Sequence, residues 1–151
     1  MKLVIQRVRQ ARVTVAGETV GQIGPGAVIF VGASRADTPE DVRYLARKTA
    51  ALRVFDDAEG RLNRALAPGE GEFLVVSQFT LYGDCRHGNR PSYIEAAPPE
   101  QAAPLCEALT AELESLGCRV ARGRFRETML VELANDGPVT ILMESTGRTA
   151  S

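Results

Sequence analysis

The sequence predicts an α/β fold of the α+β type: a mainly antiparallel or mixed, barrel-like sheet with two main helices packed on it, in one domain. Three observations predict this. Several short stretches alternate polar with branched apolar residues, the period of half-buried strands. Two longer stretches repeat at helical spacing instead. Turn residues join neighbouring strands more often than helices do, so hairpins outnumber crossovers and a doubly wound nucleotide-binding fold is disfavoured.

Residues 2–10 and 12–16 alternate as strands do, and Gly17-Glu18 marks the turn to a short third strand at 19–23. Gly24-Pro25-Gly26 is strong punctuation. Residues 27–31 form a continuous apolar run, short enough for a buried strand. At Thr38-Pro39-Glu40-Asp41 the period changes: a threonine can cap, proline suits the first helical position, and acids favour the positive end of the helix. Val42, Leu45, Ala46, Thr49 and Leu52 follow on one helical face. Residues 52–55 lead into a strand, 56–60 form a hairpin tip and 68–71 another turn.

Residues 73–79 read as a buried strand, yet "VVSQFTLYGD" (75–84) ends it in a dense patch of hydroxyl and amide groups. From 82 to 99 the chain is polar and rich in glycine and proline, a loop of unusual length; such loops are often functional. A second helix starts between Pro99 and Pro104, because proline suits only the first turn. It places Leu105, Cys106, Leu109, Leu113 and Leu116 on one face, with Gly117 as its C′ residue. Residues 118–125, 129–134 and 139–144 read as closing strands. The composition from Ser145 onward is turn-like, so 1–145 is taken as the domain and 146–151 as a flexible tail.

The 151 residues carry a net charge of −1, with 18 basic and 19 acidic side chains. A nucleic-acid binder usually shows a basic surplus, so any such contact must be local. Two clusters could supply it: Arg43, Arg47, Lys48 and Arg53, and Arg119, Arg122, Arg124 and Arg126. The three cysteines, Cys85, Cys106 and Cys118, form no C-x-x-C pair. Their odd number and wide spacing argue against a disulfide framework and a zinc site and fit reduced thiols in a cytoplasmic protein. The start MKLVIQRV lacks the apolar core of a signal peptide. No apolar run approaches the roughly 20 residues of a membrane span.

"GQIGPGA" (21–27) lacks the following helix and the lysine of a phosphate loop and reads as a turn. His87 is the only histidine. A triad with Ser77 or Thr80 as nucleophile is open in principle, but nothing in the sequence brings His87 near either. Asp56 and Asp57 sit in a turn, as solvated carboxylates do. "NDGPVT" (135–140) has the composition of a hairpin turn. Its sharper reading is a cis Gly137-Pro138 bond whose carbonyls face one side and hold an ammonium group.

"SQFTL" (77–81) and "NDGPVT", in this order, resemble the signature pair of the D-aminoacyl-tRNA deacylases, the D-Tyr-tRNA deacylase family. "QRVRQARVTV" (6–15), "RVFDDAEGRLN" (53–63), "RPSY" (90–93) and "GRF" (123–125) fit the same family. The resemblance covers nearly the whole chain. It implies a homodimer that hydrolyses the ester joining a D-amino acid to the terminal adenosine of tRNA, a proofreading activity that extends to glycyl-tRNA if the site selects by side-chain exclusion alone. Ser77, Gln78, Phe79 and Thr80 would form the catalytic centre through backbone N–H groups aimed at the oxyanion. Gly137 and Pro138 would reach into the partner subunit and capture the α-amino group, steadied by Arg7. Phe125 and Met129 would line the adenosine pocket, and Arg119, Arg122 and Arg124 would contact phosphate. No metal, organic cofactor or membrane is implied. Two other readings remain open at this point: a non-catalytic RNA-binding module, and a general serine esterase built on Ser77.

Overall fold

In the computed structural model, residues 1–146 are described; of the expected tail, 147–151 lie outside them. The elements run β1 (Lys2–Val15), β2 (Glu18–Ile23), β3 (Gly26–Gly32), α1 (Pro39–Ala50), β4 (Phe55–Asp56), β5 (Leu62–Arg64), β6 (Glu72–Ser77), a 3-10 turn (Phe79–Tyr82), α2 (Pro99–Ser115), β7 (Val120–Arg122) and β8 (Leu130–Glu144). β4 and β5 form a separate hairpin, and the other six strands form one mixed sheet. β1 pairs antiparallel with β2, β3 and β8, while β3–β6 and β6–β7 are parallel. The crossovers that parallel pairs require hold α1 and α2, which pack on each other over one face.

Two sequence-predicted boundaries disappear. The strands expected at 2–10 and 12–16 are one strand, β1. On one edge it exchanges β3 for β2 near Ala11, while the other edge stays paired with β8. The strands expected at 129–134 and 139–144 are likewise one strand, β8. Both of its halves pair with β1, so "NDGPVT" is a bulge inside a strand and not a hairpin turn. Gln6 faces Thr140 and Val8 faces Asn135, so residues 136–139 are extruded opposite Arg7 alone.

Alternation sorts side chains to two cores. Leu3, Ile5, Ile29, Val31, Phe73 and Val75 face Val42, Leu45, Leu109 and Leu113 of the helices. Val8, Val13, Ile23, Val28, Leu74 and Val76 meet one another on the opposite face. That second cluster exists because the sheet curls. β2 comes so close to β7 that a side chain at Gly21 would lie 2.5 Å from the Arg122 carbonyl, which makes the sheet a nearly closed barrel.

Local signals act as the sequence predicts. The Thr38 amide and hydroxyl both donate to the Asp41 carboxylate, at 2.8 and 2.9 Å, and Pro39 opens α1. Gly117 follows α2 with φ +88°. Two details differ. Pro104 lies inside α2; the carbonyl its ring leaves without a donor belongs to Glu100, in the exposed first turn. Leu116, past the helix end, is 44% exposed rather than core. Ser145, the last residue of the expected domain, is buried: its N–H donates to the Met1 carbonyl at 3.0 Å, and its hydroxyl accepts from the fully buried Met1 ammonium at 2.8 Å. Asp37 completes that ion pair.

Candidate active site

β6 is buried from Phe73 to Val76 and then runs out of neighbours. β7 pairs with it only as far as Val75. On the other edge the Gln78 N–H makes the last rung, donating to the Val31 carbonyl at 2.7 Å. The chain then tightens into the 3-10 turn, whose bonds run from Leu81 N–H to Gln78 O (3.2 Å) and from Gly83 N–H to Thr80 O (2.9 Å). The turn folds down over Gly32, where a Cβ would lie 3.0 Å from Leu81 Cβ. The first amides of a helical turn have no partner within it. Those here belong to Phe79 and Thr80, and no backbone carbonyl among the described residues accepts from either. The Gln78 amide, expected to be free, is the one donor of this stretch that the sheet keeps.

A cleft of about 610 Å³ opens over this strand end. Ser77, Gln78 and Phe79 line one side, and Phe125 and Met129 line another. Tyr93 of "RPSY" completes the mouth, its ring edge-on to Phe79 with centroids 5.1 Å apart. The loop that carries Tyr93 is irregular but pinned. Asp84 and Ser92 exchange backbone hydrogen bonds of 2.8 and 2.9 Å, and Ala97 N–H donates to Ala33 O at 2.9 Å. Side-chain and backbone hydrogen bonds from Arg86 hold the Asp84 carboxyl down at about 2. Tyr93 was not singled out as a site residue; its only sequence signal is its place in that loop.

Reactive side chains do not assemble in the cleft. His87 is exposed and does not line it, so no described histidine can activate Ser77. The Thr80 hydroxyl accepts a hydrogen bond from the Gln78 side chain and lies outside the lining. Cys106 does line the cleft, but burial pushes its thiol up to about 11, and the thiol is a poor nucleophile. Among the described residues no group of three or more His, Cys, Asp or Glu stands ready to hold a metal ion. What the cleft offers is an apolar slot beside unpaired backbone N–H groups.

Arg7, Gly137 and Pro138 form a second cluster that does not line this cleft. The Gly137-Pro138 bond is cis, and both residues are exposed. Arg7 is buried beneath them. Its guanidinium donates to Asp136 O (3.2 Å), Val54 O (3.0 Å) and Asp56 Oδ1 (3.2 Å). The Asn135 side-chain amide donates to Arg7 O (2.9 Å) and Val139 O (3.0 Å), closing the neck of the bulge. Val54, Asp56 and Asn135 were missed as supports. Each lies within a quoted motif, but nothing local in the sequence says that 54–56 meets 7. The remaining predicted contacts, Arg119, Arg122 and Arg124, are all ion-paired, to Glu72 (3.6 Å), to Glu107 and Glu114 (2.7 and 2.9 Å), and to Glu18 (3.8 Å).

Residues 4–144 match the model of the family described as D-Tyr-tRNA(Tyr) deacylase. The D-aminoacyl-tRNA deacylase of Heliobacterium modesticaldum is 54% identical over 147 residues, covering 97% of this chain and 98% of the relative. That of Halalkalibacterium halodurans is 55% identical over 145 residues, covering 96% and 99%. A solved structure titled c-Myc DNA Unwinding Element Binding Protein superposes with a TM-score of 0.90 at 38% identity, covering 95% of this chain and 98% of that one.

Proposed function

The chain belongs to the D-Tyr-tRNA(Tyr) deacylase family, and from that premise we propose that it hydrolyses the ester of D-aminoacyl-tRNA by backbone chemistry in the cleft at the end of β6. The observation that carries this is the unpartnered amide of Phe79, which lines an apolar slot, followed in the chain by the equally unpartnered amide of Thr80. Adenine of the 3′ end enters between Phe125 and Met129. Water adds to the ester carbonyl, and the oxygen takes negative charge as the tetrahedral intermediate forms. The Phe79 and Thr80 N–H groups then donate to it, and aimed donors of this kind are worth about 2.7–4 kcal/mol each in other hydrolases. Collapse breaks the bond to the ribose oxygen, which takes a proton as the D-amino acid leaves. The substrate's neighbouring 2′-hydroxyl positions or activates the water; neither His87 nor Thr80 lines the cleft to do so.

Selection by hand comes from a second copy of the chain. Its exposed Gly137 and Pro138 carbonyls hold the α-ammonium, and an L-amino acid would drive its side chain into that backbone. The burial of Arg7 and the Asn135 clamp support this reading, because a filter of two carbonyls works only if it does not move. Glycyl-tRNA has no side chain to exclude and is a second substrate. The working unit is a homodimer of domains spanning 1–145, acting on tRNA in the cytoplasm without metal or cofactor. The test is incubation with D-Tyr-tRNA and L-Tyr-tRNA. Release of D-tyrosine alone is expected. Retention of both esters alongside measurable tRNA binding would make the protein a binding module instead.

A further inference from the structure

Among the described residues, Arg126 is the only arginine or lysine that lines the cleft, and it follows Phe125 directly in the chain. It makes no hydrogen bond or ion pair with any described residue, whereas Arg119, Arg122 and Arg124 each have a carboxylate partner. Its backbone is also unusual. Arg126 has φ +64°, a left-handed conformation that a few per cent of non-glycine residues adopt. Such outliers gather at ligand-binding sites, where the fold holds them in place.

We propose that Arg126 is the phosphate-binding residue of this cleft, its guanidinium taking the phosphodiester on the 5′ side of the terminal adenosine. The inference rests on the deacylase reading and deepens it. If adenine packs on Phe125 and Met129, its own 5′ phosphate is the first backbone anion beyond the base, and Arg126 is the described cation of the same cleft. A guanidinium fork matches two phosphate oxygens. Arg126 gives up only water to make that contact, while the other three arginines must first leave a carboxylate.

The experiment compares D-Tyr-tRNA with D-tyrosyl-adenosine, which keeps the ester and the base and lacks the phosphate. The readout is the ratio of kcat/KM on the two substrates. Arg126→Ala should lower that ratio about ten- to a hundredfold, the value of a charged hydrogen bond. The change should sit in KM, and the log–log salt slope on tRNA should flatten by about 0.7, one single-strand phosphate. Arg126→Gly, which suits the left-handed backbone, should do the same without loss of thermal stability. Arg124→Ala should change the ratio by less than about threefold, well short of one charged hydrogen bond. An unchanged ratio in both Arg126 variants overturns the proposal, and so does an Arg124→Ala effect as large as theirs. Wild-type protein that cleaves neither substrate overturns the deacylase reading itself, a result distinct from either of these.

Discussion

Gly137→Ala tests the rigid support of the proposed filter, and its cost can be worked from the structure. Gly137 has φ +120°, where an L side chain is strained. Holding alanine there costs on the order of 1–3 kcal/mol. The new Cβ would also meet Val139 Cγ2 at 2.8 Å, Val139 N at 3.1 Å and Arg7 Nη2 at 3.1 Å. The valine methyl can rotate away; the backbone nitrogen cannot. The guanidinium would yield only by loosening its 3.2 Å bond to Asp136 O, and a charged hydrogen bond is worth about 1.5–3 kcal/mol. The total is about 2.5–6 kcal/mol. At about 2–4 °C per kcal/mol for a chain of this size, Tm should fall by roughly 5–24 °C. Hydrolysis of D-Tyr-tRNA should fall about a hundredfold or more, since capture of the ammonium is two or more charged hydrogen bonds. Gly60→Ala is the control: its φ is +73° but nothing lies within 4 Å of the added carbon, so only about 1 kcal/mol of backbone cost is expected. Thermal melts and D-Tyr-tRNA deacylation measure both. A Gly137→Ala protein with wild-type Tm and wild-type turnover would refute the reasoning.

Three further changes probe the supports and the chemistry, and a labelling experiment probes the cleft. Arg7→Lys keeps the charge but loses the fork that reaches three acceptors; it should lower stability by about 1–3 kcal/mol and reduce deacylation, as melts and turnover would show. Ser77→Ala should keep activity within about threefold, because removing an oxyanion donor costs about a hundredfold or more and this reading asks no donor of the Ser77 side chain; a loss beyond a hundredfold would restore the serine-esterase mechanism. Asp37→Asn breaks the buried pair with the Met1 ammonium and should cost about 3–5 kcal/mol, seen as a Tm drop of at least about 6 °C. At pH 8 a thiol-directed label should reach exposed Cys85 well before Cys106. Burial raises the Cys106 thiol to about 11, so its neutral form dominates until the pH approaches that value. Its labelling rate should therefore climb as pH rises; peptide mass spectrometry over a pH series gives the order.

Determined by the sequence alone were the features governed by a few adjacent residues. The cap at Thr38-Pro39 and the stop at Gly117 lie where the sequence places them, because capping and left-handed φ are decided within one turn of chain. The tip expected at 56–60 follows for the same reason, save that Asp56 belongs to β4, and so does the buried run of β6. The family was legible too, since its motifs are short and keep their order.

Tertiary structure alone decided what lies opposite each of these pieces. β1 and β8 each look like two strands because their periods break near residues 9–10 and 136–139. Only pairing across some 130 residues of chain shows each break to be a bulge or a change of partner. The acceptors of Arg7 come from 54–56 and 136, and the availability of each arginine depends on which carboxylate folds next to it. Sequence period reports which face of its own element a side chain occupies; register and ion pairing are set by the neighbouring element, which sequence distance does not encode. That is why Arg126, the last of four similar arginines in one short stretch, became distinct only when the fold gave the other three their partners and set it at the edge of the cleft.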